Sequence, residues 1–156
     1  SRDKNKNLSI SPDSLKANLR TYLNQFRLIS DAIDILDTQI INISLSFQIA
    51  TDPNANRYTV VQGINSDLKA YFDIKNFQID QPISISDVTN IIINTAGVIS
   101  IVDLKFSNPQ NLALARPYSD NSFSPVSNTF KGLIIGPPGS IFEVKYPEFD
   151  IVGSAT

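Results

Sequence analysis

Ile41-Asn42-Ile43-Ser44-Leu45-Ser46-Phe47-Gln48-Ile49 decides the fold class. Its apolar residues alternate with polar ones. Successive side chains of an extended chain point to opposite faces, so the stretch predicts a strand with one buried and one polar face. Its β-branched and aromatic content suits a half-buried pleated surface. Such a strand needs a cover, and helical patterns flank it on both sides. Upstream, Ser11-Pro12-Asp13 offers a capping hydroxyl, a proline suited to the first helical position and an acid for the positive helix end. The spacing predicts a helix from Pro12 to about Phe26, with Leu15, Leu19, Tyr22, Leu23 and Phe26 in one apolar stripe that lies on the sheet. Downstream, Asp52-Pro53-Asn54 closes the strand with turn chemistry. A second helix is expected from Asn56 to about Phe72, burying Val60, Val61, Ile64, Leu68, Tyr71 and Phe72, with Gly63 as a weak point.

Further along, a brief extended piece at Phe77 to Ile79 leads past Pro82 and Ile85 into a short helix from Ser86 to Ala96, ended by Gly97 as a left-handed cap. Val98 to Phe106 reads as a strand. Regular alternation puts Val98, Ser100, Val102, Leu104 and Phe106 on one face and Ile99, Ile101, Asp103 and Lys105 on the other. A shorter strand from Ala32 to Leu36 precedes the long one. From Ser107 to Thr129 the periodicity vanishes and Asn, Ser and Pro dominate, which predicts a long polar loop reaching outside the domain. Leu133 to Ile135, Gly136-Pro137-Pro138-Gly139 and Ile141 to Tyr146 read as a hairpin, with Pro147 at its end. An extended piece from Phe149 to Val152 and a small-residue tail follow. The fold class expected is therefore α+β: a small mixed or antiparallel sheet covered by two to three helices, with a C-terminal β-hairpin and a long polar loop. The corresponding segments are a flexible arm at 1–10, a core domain at 11–106, an irregular arm at 107–130, and the hairpin and tail at 131–156.

Composition narrows the function. A chain of 156 residues can bury one continuous core without disulfides or metals. A net charge of -2 creates no field for nucleic acid or an anionic membrane, and the small cluster Arg2, Lys4 and Lys6 reads as a solvated arm. Only 18% of residues are charged, and Asn and Ser carry much of the polarity, which suits surfaces that become buried in an assembly. Runs such as Ile91 to Ile93 are far too short for membrane insertion. The lack of Met and the polar start point to a piece of a longer protein.

The chemistry available is thin. His and Cys are both absent, which removes the commonest general base, the thiolate nucleophile and the usual zinc ligands. Ser66 and Lys69 form a Ser-x-x-Lys pair, and Ser119-Asp120-Asn121 follows, as in penicillin-recognising serine hydrolases. The Lys-Thr-Gly strand those enzymes use is missing, however, since Gly132 follows Lys131 directly. Asp52, Asn54 and Asn56 match the opening of a calcium loop, but Arg57 stands at the required Gly and Gly63 at the bidentate Glu. Asp31, Asp34 and Asp37 in an extended stretch do not share a face, which argues against a glycosidase pair. The two prolines of Gly136 to Gly139 lack the amides of a phosphate cradle. Asn7-Leu8-Ser9 and Asn42-Ile43-Ser44 have glycosylation spacing, as chance alone produces in an Asn- and Ser-rich chain. No catalytic residue, cofactor site or metal site is predicted, and the chain is read as a non-enzyme.

Leu15 to Leu23, Ile41 to Ile49, Leu68-Lys69-Ala70-Tyr71-Phe72 and Gly97-Val98-Ile99 carry the order helix, strand, helix, helix, strand, and the closing Ile141-Phe142-Glu143-Val144-Lys145-Tyr146-Pro147 adds a final strand. In that order and wording the chain resembles the baseplate J-like family, in the C-terminal region of wedge proteins from T-even-type contractile-tailed bacteriophages. The likeness covers roughly Ser11 to Phe106 and the final strand. Its markers are apolar and aromatic patterns, so it carries over no catalytic residue, and Ser107 to Thr129 matches no motif of the family. The resemblance implies a virion protein of the tail baseplate that forms a homodimer within a larger ring. Other baseplate wedge proteins would be its partners, and it would rearrange when the sheath contracts.

Independently of that likeness, the low charge and the apolar residues Ile141, Phe142, Val144, Tyr146 and Phe149 of the expected terminal hairpin point to association, and those five form the candidate association surface. The same residues could instead complete the domain's own core. An alternative class is a carbohydrate- or peptide-binding module using Tyr58, Tyr71, Tyr118 and Phe123 as contact platforms, although no Trp is available for stacking on sugar.

Overall fold

The computed structural model describes residues 7–24, 37–110 and 116–156. The deciding stretch is extended throughout, but it serves two sheets in turn. Gln39–Asn42 forms β1 and Ser44–Thr51 forms β2. Ile41, Ile43, Leu45, Phe47 and Ile49 are all buried, so the alternation runs unbroken across the change of partner. β1 pairs in parallel with β7 (Ser140–Glu143), and Ile43 continues the ladder by donating its amide to the Glu143 carbonyl at 2.9 Å. β2 then pairs in parallel with β8 (Ile151–Ala155) and, on its other side, antiparallel with β4 (Val98–Ser107). The C-terminal segment thus runs alongside 39–49 for nearly its whole length. A third small sheet joins β3 (Ile83–Ser84), β6 (Leu133–Ile134) and β5 (Thr129–Phe130).

Two helices cover the β4-β2-β8 sheet. Arg57–Tyr71 forms α2, capped by the Asn56 side chain accepting from Thr59 N, and it buries Val60, Ile64 and Leu68 at steps of four. Ile85–Ile93 forms α3, capped in the same way by Ser84 on Asp87 N, and it buries Val88 and Ile92. These faces meet the odd-numbered side chains of β2 in one core, which Phe72, Phe77, Ile134, Phe142 and Ile151 complete. The fold is a mixed α+β arrangement of short helices with mixed and antiparallel sheets. Among the described residues, no helix is long and apolar enough to cross a membrane.

Several expectations need correction. The first helix forms as α1 (Asp13–Asn24), yet Leu15 and Leu19, expected on the sheet, are exposed, while the side chains of Tyr22, Leu23 and Phe26 lie outside the described residues. The extended piece at Phe77 to Ile79 is short and unpaired: Phe77 is extended after a 3-10 turn at Ile74–Asn76, and Ile79 enters a turn in which Asp80 has a positive φ. The expected C-terminal hairpin does not form, because β6 pairs with β3 and β5 whereas β7 pairs with β1. Pro147 starts a short helix, α4 (Pro147–Asp150), and the small-residue tail is the paired strand β8. The expected strand at 32–36 lies outside the described residues, as do Asp31 and Asp34. Asp37 is described, and it pairs with Lys16 at 2.5 Å.

The loop after β4 folds back on its own domain. Among the described strands β1 pairs with β7 alone, so its Ile40 and Asn42 carbonyls call for other donors. Ser119 Oγ donates to the Ile40 carbonyl at 2.6 Å, Asn121 Nδ2 to the same oxygen at 2.8 Å, and Asn108 Nδ2 to the Asn42 carbonyl at 2.6 Å. Phe123 packs edge-on against Phe142 with centroids 5.4 Å apart. The polar side chains of this segment therefore take the place of a neighbouring strand. Asn42 stands on the nominally polar face of β1 and is nonetheless buried, because the loop covers that face.

Candidate association surface

Beside β4, exposed apolar side chains lie on the strand itself, Ile99 and Val102, and on the groove next to it, Val126, whereas Val152 and Phe149 are exposed at β8 on the opposite edge of that sheet and Phe130 on β5. Single exposed apolar residues are ordinary, but a group beside an unpaired strand edge is a surface built for contact. Among the described strands, β4 pairs only with β2. Which β4 groups face outward follows from the opposite edge of β2. Ile49 accepts from Thr156 N, and Thr51 N donates to the Thr156 carbonyl, so odd-numbered residues of β2 turn their backbone groups toward β8. Phe47, opposite Leu104, shares that orientation, so Leu104 and Phe106 turn their amides and carbonyls to the open edge. Leu104 N donates to Asp103 Oδ1 at 3.0 Å, which confirms that it is not spent on β2.

The register along β4 contains two irregularities. Gln48 faces Asp103 while Ile49 faces Ile101, so Val102 is an extra residue, and Ile99 is likewise skipped between Ser100 and Val98. The first bulge reverses the faces predicted from strict alternation. Ile101 packs against the core, and Val102, expected to share the face of Leu104, is 56% exposed. Beside the regular part of the strand lies a mainly apolar groove of about 640 Å³, walled by Leu104, Phe106, Ile85, Pro125, Val126 and Ile134.

The five residues predicted as an association surface divide. Ile141, Phe142 and Val144 are buried in the domain's own core, Tyr146 is half-buried against Tyr118, and Phe149 is exposed with the Arg116 guanidinium 4.0 Å above its ring. Of the platform residues, Tyr71 packs edge-on against Phe72 and Phe77, Phe123 packs on Phe142, and Tyr118 is tied to Asp150, whereas Tyr58 is exposed. Sequence reasoning misses β4 because its open edge depends on which strands pair. The visible signal is the acid and base, Asp103 and Lys105, set in an apolar run.

The residues with catalytic echoes are not brought together. Ser66 and Lys69 lie on α2 beside Glu148, and Lys69 Nζ bonds to Glu148 Oε1 at 2.5 Å. Ser119 and Asn121 serve the β1 carbonyls and line a different cleft of about 470 Å³. In that cleft Glu143 is buried, its carboxylate accepting from Leu8 N at 2.8 Å and Asn42 Nδ2 at 3.2 Å. Asp52 Oδ1 accepts from Asn54 N and Asn56 caps α2, so both act as turn and cap residues. Among the described residues no group of three acidic side chains is placed to hold a metal.

Asp150 and Tyr118 form a titrating pair near the C-terminus. Burial raises the Asp150 carboxyl above the usual carboxylate range, against the lowering pull of donors from Tyr118 and Tyr146 N and of nearby Arg116. Burial, followed by the bond to Asp150, pushes the Tyr118 hydroxyl up to about 12. Folding therefore holds the Tyr118 proton more tightly than the unfolded chain does. Its contribution is complete below the unfolded value near 10 and is lost as pH rises toward 12. Thermal unfolding between pH 10 and 12 should show a loss of stability that is smaller in the Tyr118→Phe variant, in which only the raised Tyr71 hydroxyl of the two still titrates. Tyr118 is part-exposed, so this loss will be smaller than the shift alone implies.

The chain matches no family model, and no curated protein matches it in sequence.

Proposed function

We propose that this chain is a non-catalytic assembly domain of a contractile-tail baseplate wedge, acting by burying a strand edge and its neighbouring apolar groove against copies of itself and other wedge subunits. The observation that carries this reading is the ten-residue strand β4, which among the described strands pairs on one side only and is flanked by exposed Ile99, Val102 and Val126. An open edge offers a row of backbone donors and acceptors to another chain, and natural proteins seldom leave one long and apolar without a partner. The likeness of its helices and strands to the baseplate J-like family supports the placement in a virion tail baseplate, assembled in the host cytoplasm. That placement implies a homodimer within a ring around the tail tube.

Light scattering over a concentration series tests the associating part of this reading. The mass should climb from the 17.2 kDa of one chain toward twice that value as concentration rises. A mass that stays at one chain throughout, and shifts only when a sugar or peptide is added, would contradict it.

A further inference from the structure

We infer that the partner of the β4 edge is β4 of a second copy, paired antiparallel about a twofold axis through Leu104. The inference rests on the reading of the chain as an assembly domain and names the contact through which it works. A twofold interface must be self-complementary, because each residue meets its counterpart across the axis. Backbone geometry restricts the choice, since Leu104 and Phe106 present their amides and carbonyls outward whereas Asp103 and Lys105 present theirs to β2.

Charge then selects among the registers that remain. An axis through Asp103 sets two carboxylates opposite each other, and an axis through Lys105 sets two ammonium groups opposite each other. Like charges directly opposed across strands are unfavourable. An axis through Phe106 carries Asp103 to Pro109, beyond the end of the strand, and one through Val102 falls on the bulge. Only the axis through Leu104 sets Asp103 against Lys105 of the second copy, and it does so twice. It also makes the two Leu104 residues exchange both of their backbone hydrogen bonds.

The isolated edge is held in a guarded form. Asp103 Oδ1 accepts from Leu104 N at 3.0 Å, and Asp103 Oδ2 lies 3.4 Å from Lys105 Nζ. Both side chains are largely exposed and free to re-aim. On pairing, each Asp103 turns to the second copy's Lys105, and the released Leu104 amide reaches the second copy's Leu104 carbonyl. The guard keeps the edge from pairing indiscriminately with other strands, and a strand that brings a lysine to this position removes it.

Charge reversal tests the register. Asp103→Lys leaves only lysines across the axis, and Lys105→Asp leaves only aspartates. In sedimentation equilibrium each variant alone should dimerise about tenfold more weakly than the parent chain. An equimolar mixture of the two should associate as well as the parent, because unlike copies oppose opposite charges at both positions. The double variant Asp103→Lys, Lys105→Asp should also pair normally. Asp103→Lys removes the guard on Leu104, which by itself favours pairing, so weaker association of that variant must come from the charges. Thermal unfolding and circular dichroism establish that the exposed substitutions leave the fold intact. A parent dimer unaffected by either single variant overturns this pairing while leaving the assembly reading standing, and a parent chain that never dimerises overturns both.

Discussion

Replacing Asn42 by alanine is expected to destabilise the chain by about 3 kcal/mol, since two side-chain hydrogen bonds fail together at a buried position. Asn42 Oδ1 accepts from Ser119 N at 2.6 Å, and Asn42 Nδ2 donates to Glu143 Oε1 at 3.2 Å. Alanine leaves the Ser119 amide without its acceptor and takes a donor from a buried carboxylate. The loss of such partners costs more than the same hydrogen bonds contribute when made. The loop should also loosen from β1, because Ser119 is one of the residues that satisfy the Ile40 carbonyl. Urea unfolding should show a lower midpoint, and the Ser119 amide should exchange faster with solvent than in the parent. An unchanged midpoint would mean that the loop is not fixed through Asn42.

A single methyl group at Gly153 should have a comparable effect. Gly153 lies opposite Phe47 in the β2–β8 pairing, and the phenyl ring rests on its backbone. A Cβ placed there would come within 2.6 Å of Phe47 Cε2 and 2.9 Å of Cε1. Phe47 is buried in the core, so its ring moves only by displacing its neighbours. Overpacking of this kind costs about 2 kcal/mol or more, which for a chain of this size lowers Tm by roughly 4–8 °C. Combining Gly153→Ala with Phe47→Leu should destabilise by less than the sum of the two changes, because the shorter side chain vacates the space that the methyl group needs. Strict additivity in that cycle would show that the ring does not set the fit of β8.

These two sites also mark where the sequence is legible and where it is not. The stripe from Ile41 to Ile49 and the steps of four along α2 declare their buried faces locally, since each follows from the period of its own element. Ile151 and Val152 read as extended, but Gly153-Ser154-Ala155 looks like a tail because its residues are small, and it continues the strand through pairing with β2 and room beneath Phe47. Pro137 and Pro138 advertise a turn correctly, but a turn does not fix what the flanking strands pair with, and β7 finds β1 about a hundred residues earlier in the chain. Strict alternation assigns Val102 to the inner face because it assumes no inserted residue, and the bulge breaks that assumption. The polar loop reads as reaching outward because Asn and Ser usually mean solvent. Here Asn108, Ser119 and Asn121 meet the needs of a strand with one free side, a demand that appears only once β1 is in place.

The candidate surface is hidden from the sequence for the same reason. Ile141, Phe142 and Val144 are apolar whether they face a partner or the core, and the parallel pairing with β1 puts them in the core. Gly97 is an intermediate case. Its φ is +93°, and a methyl group added there would lie 2.8 Å from Val60 Cγ2. The positive φ is as expected for this glycine, but α3 ends at Ile93 with Asn94 as its cap, so Gly97 serves the turn into β4 rather than the helix end, and the contact with Val60 comes from α2.

Everything proposed for this chain depends on another chain taking hold of the outward-facing backbone of β4. Amide hydrogen exchange at Leu104 and Phe106, followed from dilute to concentrated solution, tests this most directly. Protection at these two amides should rise at least about tenfold as the mass doubles, while the already paired amides of β8 change little. A doubling of mass with no added protection at Leu104 and Phe106 would place the contact elsewhere and contradict association through β4.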